Sequence, residues 1–448
     1  MLTFWSKRSQ LFCDGASRRS FLQVGALAAG GLTLPDLLRL RAQGATIPQS
    51  KRKAVIMVTL GGGPSHIDLY DLKPDAPTEI RGEFKPIETV VPGLEISELL
   101  SEQARIADKF ALVRNLQMST SSHNQDQEVL SGFLYNPRVP GAKGNPRPAF
   151  GSVVSRLRGG ATGTPAYVSL RRDLINEVPL YAGPGHAPFV PIGEGLENLG
   201  LLKQMTLERF ADRKALLQSL DQLRRHADAH AAVTGADAFA AQAFDILSSP
   251  QTREAFDLSR ESNDMRQKYG FAGLPTYNAN YLVLSKFLMA RRLVEAGVPV
   301  VTLEAFGEWD THANNFTTLR RIAPVVDRGI SALISDLHER GLADDVLVVM
   351  WGEFGRSPRI ATYNNTPGRD HHGNANFALF AGGGLNMGQV IGATDARGER
   401  PTGTPYTPQN ILATIYHVLG IDPSTTLPDH FGRPMYLLDE PEAVRELV

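Results

Sequence analysis

Apolar runs without polar alternation recur along this chain. The first is Ala54-Val55-Ile56-Met57-Val58-Thr59-Leu60, closed by Gly61-Gly62-Gly63-Pro64. A strand that is apolar on both faces belongs in the middle of a parallel sheet, where helices cover each side. The runs at 110–113, 298–303, 346–350 and 377–381 read the same way, the last closed by Gly382-Gly383-Gly384. Between them, apolar residues recur at helical spacing over 281–296, stopping at Gly297, and over 325–340, stopping at Gly341. A later helix opens at Pro408 and runs to 419, with proline suited to a first turn.

Strands alternating with helices predict an α/β fold: a three-layer sandwich with a mostly parallel central sheet. Residues 200–275 differ. They are polar, rich in Ala, Gln, Asp and Arg, and predict a helical insertion on the main domain. The Pro/Gly-rich stretch 136–148 predicts a long surface loop.

The N-terminus carries a different signal. Ser17-Arg18-Arg19-Ser20-Phe21-Leu22-Gln23 matches the twin-arginine export pattern, and an apolar Gly/Ala-rich stretch follows it at 24–32. That stretch is too short to span about 30 Å of hydrocarbon. Residues 1–45 therefore read as a cleavable leader, with 46–448 as the exported domain, destined for the periplasm or beyond. Removing the leader takes six of 46 basic and two of 47 acidic residues, so the remainder is mildly acidic. Nothing in this balance suggests nucleic acid as a partner; the twin-arginine export machinery is the expected one. Cys13, the single cysteine, lies in the leader, which rules out disulfides and thiolate metal sites in the exported domain.

Chemistry must then come from His, carboxylates and hydroxyls. In open α/β sheets, ligands bind beyond the carboxyl ends of the strands. Ser65, His66 and Asp68 follow the first run; Glu308-Trp309-Asp310-Thr311-His312 follows the run ending near 303. Gly352-Glu353-Phe354-Gly355-Arg356 follows the run ending at 350, and Arg369-Asp370-His371-His372 precedes the last run. A fifth group, Ser119 to Asn124, follows the run at 110–113 and opens an apparent helix. Histidines 66, 123, 312, 371 and 372, with 186 as a further candidate, fall in such loops, and carboxylates stand close to several of them. Imidazole with carboxylate and no thiol suits Zn²⁺, Mn²⁺, Fe or Ca²⁺. Arg356 and Arg369 are expected either to bind a substrate phosphate or sulfate, or to form surface ion pairs. No Gly-x-Ser-x-Gly elbow and no phosphate-loop lysine is present.

At these blocks the sequence resembles the exported, sulfatase-like family catalogued as domain of unknown function 1501. The resemblance rests on Gly61 to Asp68, ARRLVEAGV at 290–298, WDTH at 309–312, GEFGRSPRI at 352–360, GRDHH at 368–372, AGGG at 381–384 and GATDARG at 392–398. It implies an alkaline-phosphatase-like fold holding one or two divalent ions, Zn, Mn or Ca. By that resemblance Asp310 and His312 look like an Asp…His ligand pair, and His371 or His372 like a late histidine ligand. Glu353 stands in a Glu-Phe-Gly where relatives have Asp-His-Gly, and Asp68 stands for the acidic ligand after the first strand. Asp370 completes the expected metal set. Ser121 or Ser122 is the implied nucleophile, with His123 as an acid/base alternative. The implied activity is metal-dependent hydrolysis of phosphate or sulfate esters, on a small-molecule or polysaccharide substrate. The alternative is a non-catalytic envelope protein that binds sulfated or phosphorylated polysaccharide.

Overall fold

A computed structural model describes residues 53–123, 126–134, 136, 147–161, 163–171, 176–191, 249–363 and 365–448. The expected leader, with Arg18 and Arg19, lies outside the described residues. So do most of the loop at 136–148 and the greater part of the expected helical insertion. The described end of that insertion is helical, at Pro250–Phe256 and Asn263–Lys268.

The sheet has seven strands: β1 (Ala54–Thr59), β2 (Phe110–Leu116), β3 (Tyr167–Leu170), β4 (Val300–Glu304), β5 (Val346–Trp351), β6 (Asn376–Gly382) and β7 (Gln389–Ile391). Their spatial order is β7-β2-β6-β5-β1-β4-β3. β1 lies at the interior, parallel to β4 and β5, which accounts for its unbroken burial. Within this sheet only β6 runs against its neighbours, antiparallel to both β2 and β5.

Side chains alternate between two cores, as period 2 demands. Ile56 and Val58 face a layer built from α2 (Ala279–Glu295) and α3 (Asn315–Glu339), meeting Phe287, Leu288, Ile322 and Ile330. Val55 and Met57 face α1 (Phe150–Arg158) and α4 (Pro408–Val418), meeting Val153, Val154, Ile411 and Ile415. Each such side chain contributes roughly 1.5–3 kcal/mol by leaving water. The result is the expected three-layer α/β/α sandwich.

α3 starts ten residues before the predicted 325, because Pro324 does not break it. Pro324 and Arg320 both lie on the exposed face, so the carbonyl that loses its helical partner there meets water. No helix among the described residues is long and apolar enough to cross a membrane.

Candidate metal centre

The ends of four strands, β1, β2, β4 and β5, and the start of β6 meet at a single edge of the sheet, the loop after β2 bringing Ser121 and His123. Past β1 and β4 the ladder continues into the loops, with Ala305 N donating to Thr59 O, Gly61 N to Phe306 O and Trp309 N to Gly61 O. Trp309 is buried and its indole N–H donates to Ala305 O at 2.9 Å, which fixes the turn delivering Asp310. Gly62 is needed where this loop crosses Asp310. Its φ is +111°, and a Cβ there would sit 2.5 Å from Asp310 N. The loop after β5 brings Glu353 and Arg356, and Gly355–Arg356 pairs antiparallel with His371–His372. Because β6 is reversed, the segment entering it arrives at the carboxyl edge of the other strands. That reversal places His371 beside Asp310.

The histidines here share one orientation. His312 Nδ1 faces Asp370 Oδ1 at 2.9 Å, His371 Nδ1 faces the carbonyl of Ser121 at 2.9 Å, and His123 Nδ1 faces Glu353 Oε1 at 3.1 Å. An oxygen acceptor at Nδ1 holds the ring proton there and leaves the Nε2 lone pair free. All three Nε2 atoms turn inward. His371 Nε2 lies 3.1 Å from Asp310 Oδ1 and 3.0 Å from His312 Nε2. His312 Nε2 is 3.2 Å from Asp310 Oδ1, and His123 Nε2 is 3.3 Å from Asp310 Oδ2. Ligand atoms of His123, Asp310 and His371 all lie within 4.8 Å of one another. Lone pairs facing a carboxylate repel unless a cation or added protons lie between them. The donor set therefore fits a divalent ion, with Asp370, Glu353 and the Ser121 carbonyl orienting the rings from behind.

Electrostatics follow the same layout. Burial pushes the Asp310 carboxyl up, but the Arg356 guanidinium bonded to it outweighs this and holds it below the usual carboxylate range. The Glu353 hydrogen bond raises His123, against its partial burial. Burial lowers His371, with Arg356 and His123 acting in the same direction.

The remaining expected residues divide cleanly. Asp68 is fully buried away from this group. Its Oδ2 accepts from Ser65 Oγ at 2.6 Å, Asn315 Nδ2 at 2.9 Å and Arg369 Nε at 2.7 Å, and its Oδ1 accepts from Arg369 Nη2 at 3.0 Å. With every acceptor used by a donor, Asp68 has nothing left for an ion. His372 Nε2 instead meets the Glu399 carbonyl at 2.7 Å, and His66 Nε2 meets the Gly398 carbonyl at 2.8 Å. Both rings thus hold down the loop at 398–399. His186 lies elsewhere, against Ser155 Oγ at 3.0 Å.

Ser121 and Ser122 are exposed at the rim. Ser121 Oγ accepts from Gly373 N at 2.7 Å, which fixes that serine beside His371. Arg356 and Arg369 are fully buried, so the expectation of surface pairs or substrate contact gives way to internal pairs with Asp310 and Asp68. The short edge strands β3 and β7 escaped the sequence reading, being only four and three residues long.

A family model described as protein of unknown function (DUF1501) matches residues 52–448. Among curated proteins none matches the sequence. Among solved structures the chain is similar to a lipoteichoic acid synthase, LtaP, from Listeria monocytogenes, at 10% identity over 83% of this chain and 73% of that one, TM-score 0.35. It is also similar to the PsFucS1 sulfatase from Pseudoalteromonas sp., at 11% identity over 86% and 70%, TM-score 0.38. A third is the C-terminal periplasmic domain of EcEptC from Escherichia coli in complex with Zn, at 9% identity over 89% and 93%, TM-score 0.35.

Proposed function

The chain belongs to the family described as protein of unknown function (DUF1501), and from that premise we propose that it is an exported, metal-dependent hydrolase of phosphate or sulfate esters. One observation carries the reading: three imidazoles, each held at Nδ1 by an oxygen, turn their Nε2 atoms onto the same carboxylate. His123, His312, His371 and Asp310 would hold the ion. Three nitrogen donors favour Zn²⁺ over Mn²⁺ and Ca²⁺, which prefer oxygen ligands. A bound divalent ion supplies Lewis-acid polarisation of an ester oxygen and makes a nearby hydroxyl more acidic.

The chain's own groups supply the rest. Ser121, anchored through Oγ and through its carbonyl, or Ser122 beside it would supply the attacking hydroxyl. Ser121 Oγ receives the Gly373 N–H, so its own hydrogen is available to leave. Asp370 and Glu353 keep the rings of His312 and His123 from rotating. His123 is assigned to the ion rather than to proton transfer, since its Nε2 faces Asp310.

The test is turnover of aryl phosphate and aryl sulfate by metal-loaded protein, in Zn²⁺ and in Mn²⁺. Turnover that disappears in Asp310→Asn supports the hydrolase. Bound metal with silence across both ester classes contradicts it and favours the non-catalytic polysaccharide binder. Export belongs to the same reading: replacing Arg18 and Arg19 by lysine should retain the chain in the cytoplasm, and unaltered export would count against the twin-arginine route.

A further inference from the structure

We propose that the Arg356 guanidinium is a built-in cation of this centre, so that the site takes one divalent ion and has no place for a second. The inference rests on the metal reading above and concerns how many ions the residues admit.

Three of the acceptors a second ion would need are already used by Arg356. Nε donates to the Gly63 carbonyl at 2.8 Å, and Nη2 donates to the Gly62 carbonyl and to Asp310 Oδ1, the latter at 2.5 Å. Nη1 donates to the Arg369 carbonyl at 3.0 Å. The side chain is fully inaccessible to solvent. The guanidinium plane is therefore fixed on four sides, and the fork of N–H groups cannot swing away to admit a metal. Asp310 is shared asymmetrically: Oδ1 faces Arg356, His371 and His312, while Oδ2 faces His123.

Charge points the same way. Asp310, Glu353 and Asp370 are three carboxylates grouped with one guanidinium and three imidazoles. With neutral rings the group carries two net negative charges, which one divalent ion cancels. A second would leave two uncompensated positive charges in a partly buried site, an arrangement whose desolvation cost is not offset. Arg356 does not reach the open side of the centre. It is a positioning residue, acting through Asp310.

Native mass spectrometry and calorimetric titration of metal-stripped protein with Zn²⁺, and separately with Mn²⁺, test this. The wild type should take up one equivalent. Arg356→Lys, which keeps the charge, should also stop at one equivalent, whereas Arg356→Met should rise to two. Two tight equivalents in the wild type would overturn the inference while leaving the metal reading intact. So would an Arg356→Met protein that folds and still binds one. A wild type that takes up neither ion would overturn the metal reading itself. If Arg356→Met does not fold, the wild-type and Arg356→Lys stoichiometries decide the matter.

Discussion

Two polar clusters lie beyond the same edge of the sheet, each built on an aspartate and an arginine, and they are chemical opposites. Around Asp68 every oxygen meets a donor: the Ser65 hydroxyl, the Asn315 amide and the Arg369 fork. Around Asp310 one arginine donates, and the rest of the surroundings is imidazole lone pairs. The first cluster is closed and fully buried, while Asp310 keeps 38% of its side chain exposed. What separates the structural carboxylate from the proposed ligand is thus the hydrogen-bonding sign of its neighbours. The residue type and its place after a strand are shared by both.

The sharpest way to break the comparison is to make the same change in both clusters. Asp68→Asn presents an amide donor to a shell of donors and leaves a buried arginine without its counter-charge. It should cost about 3–5 kcal/mol in denaturant unfolding. Asp310→Asn also takes a counter-charge from a buried arginine, but Arg356 keeps the charges of Glu353 and Asp370 nearby, Asp310 is partly exposed, and the amide offers an N–H to imidazole lone pairs that lacked a donor. Metal-free protein should then lose clearly less stability than Asp68→Asn does in the same denaturant unfolding. Equal losses at the two sites would erase the distinction.

A smaller effect comes from His66, the histidine of this edge that belongs to the closed side. Burial holds it at about 4, below its ordinary 6.5. It is neutral when folded and takes a proton when unfolded, so its contribution is present above pH 6.5 and is lost as pH falls towards 4. The linked change is roughly 3 kcal/mol at most. Asp327, raised by burial to about 6, slopes oppositely over the same window. The check is therefore the stability difference between wild type and His66→Asn, which should move in the variant's favour as pH falls from 6.5 to 4. Identical pH profiles for the two proteins would contradict it.

The smallest predicted effect probes the shell behind the ligands. Asp370→Asn loosens His312 without touching an ion-facing atom. Zn²⁺ affinity should fall about 10–100-fold by calorimetry, with unfolding little changed. An unaltered affinity would remove Asp370 from the account.

The sequence carried most of the fold, since buried central strands leave an unmistakable apolar run and glycine closes the long helices α1 to α4. It carried less at the sheet margins. β3 and β7 are too short for periodicity to register, and the helical pattern read from the sequence opens only at 325 although Pro324 lies on the solvent face of a continuous helix. The site was legible as a set of strand-end loops, but the set was too wide. Asp68 and His372 share the composition of Asp310 and His371, and only the fold reveals that their partners are donors in one case and a backbone carbonyl in the other. Strand direction was also hidden. Residues 369–372 precede β6, and had β6 run parallel to its neighbours they would have emerged at the opposite edge.

The central claim is that His123, His312, His371 and Asp310 hold a divalent ion. Calorimetric titration of metal-stripped protein with Zn²⁺ tests it most directly, run on wild type and on Asp310→Asn. Saturable binding in the wild type that is lost in the variant is the predicted result. A wild type that binds no Zn²⁺, or a variant that binds it equally well, would contradict the account.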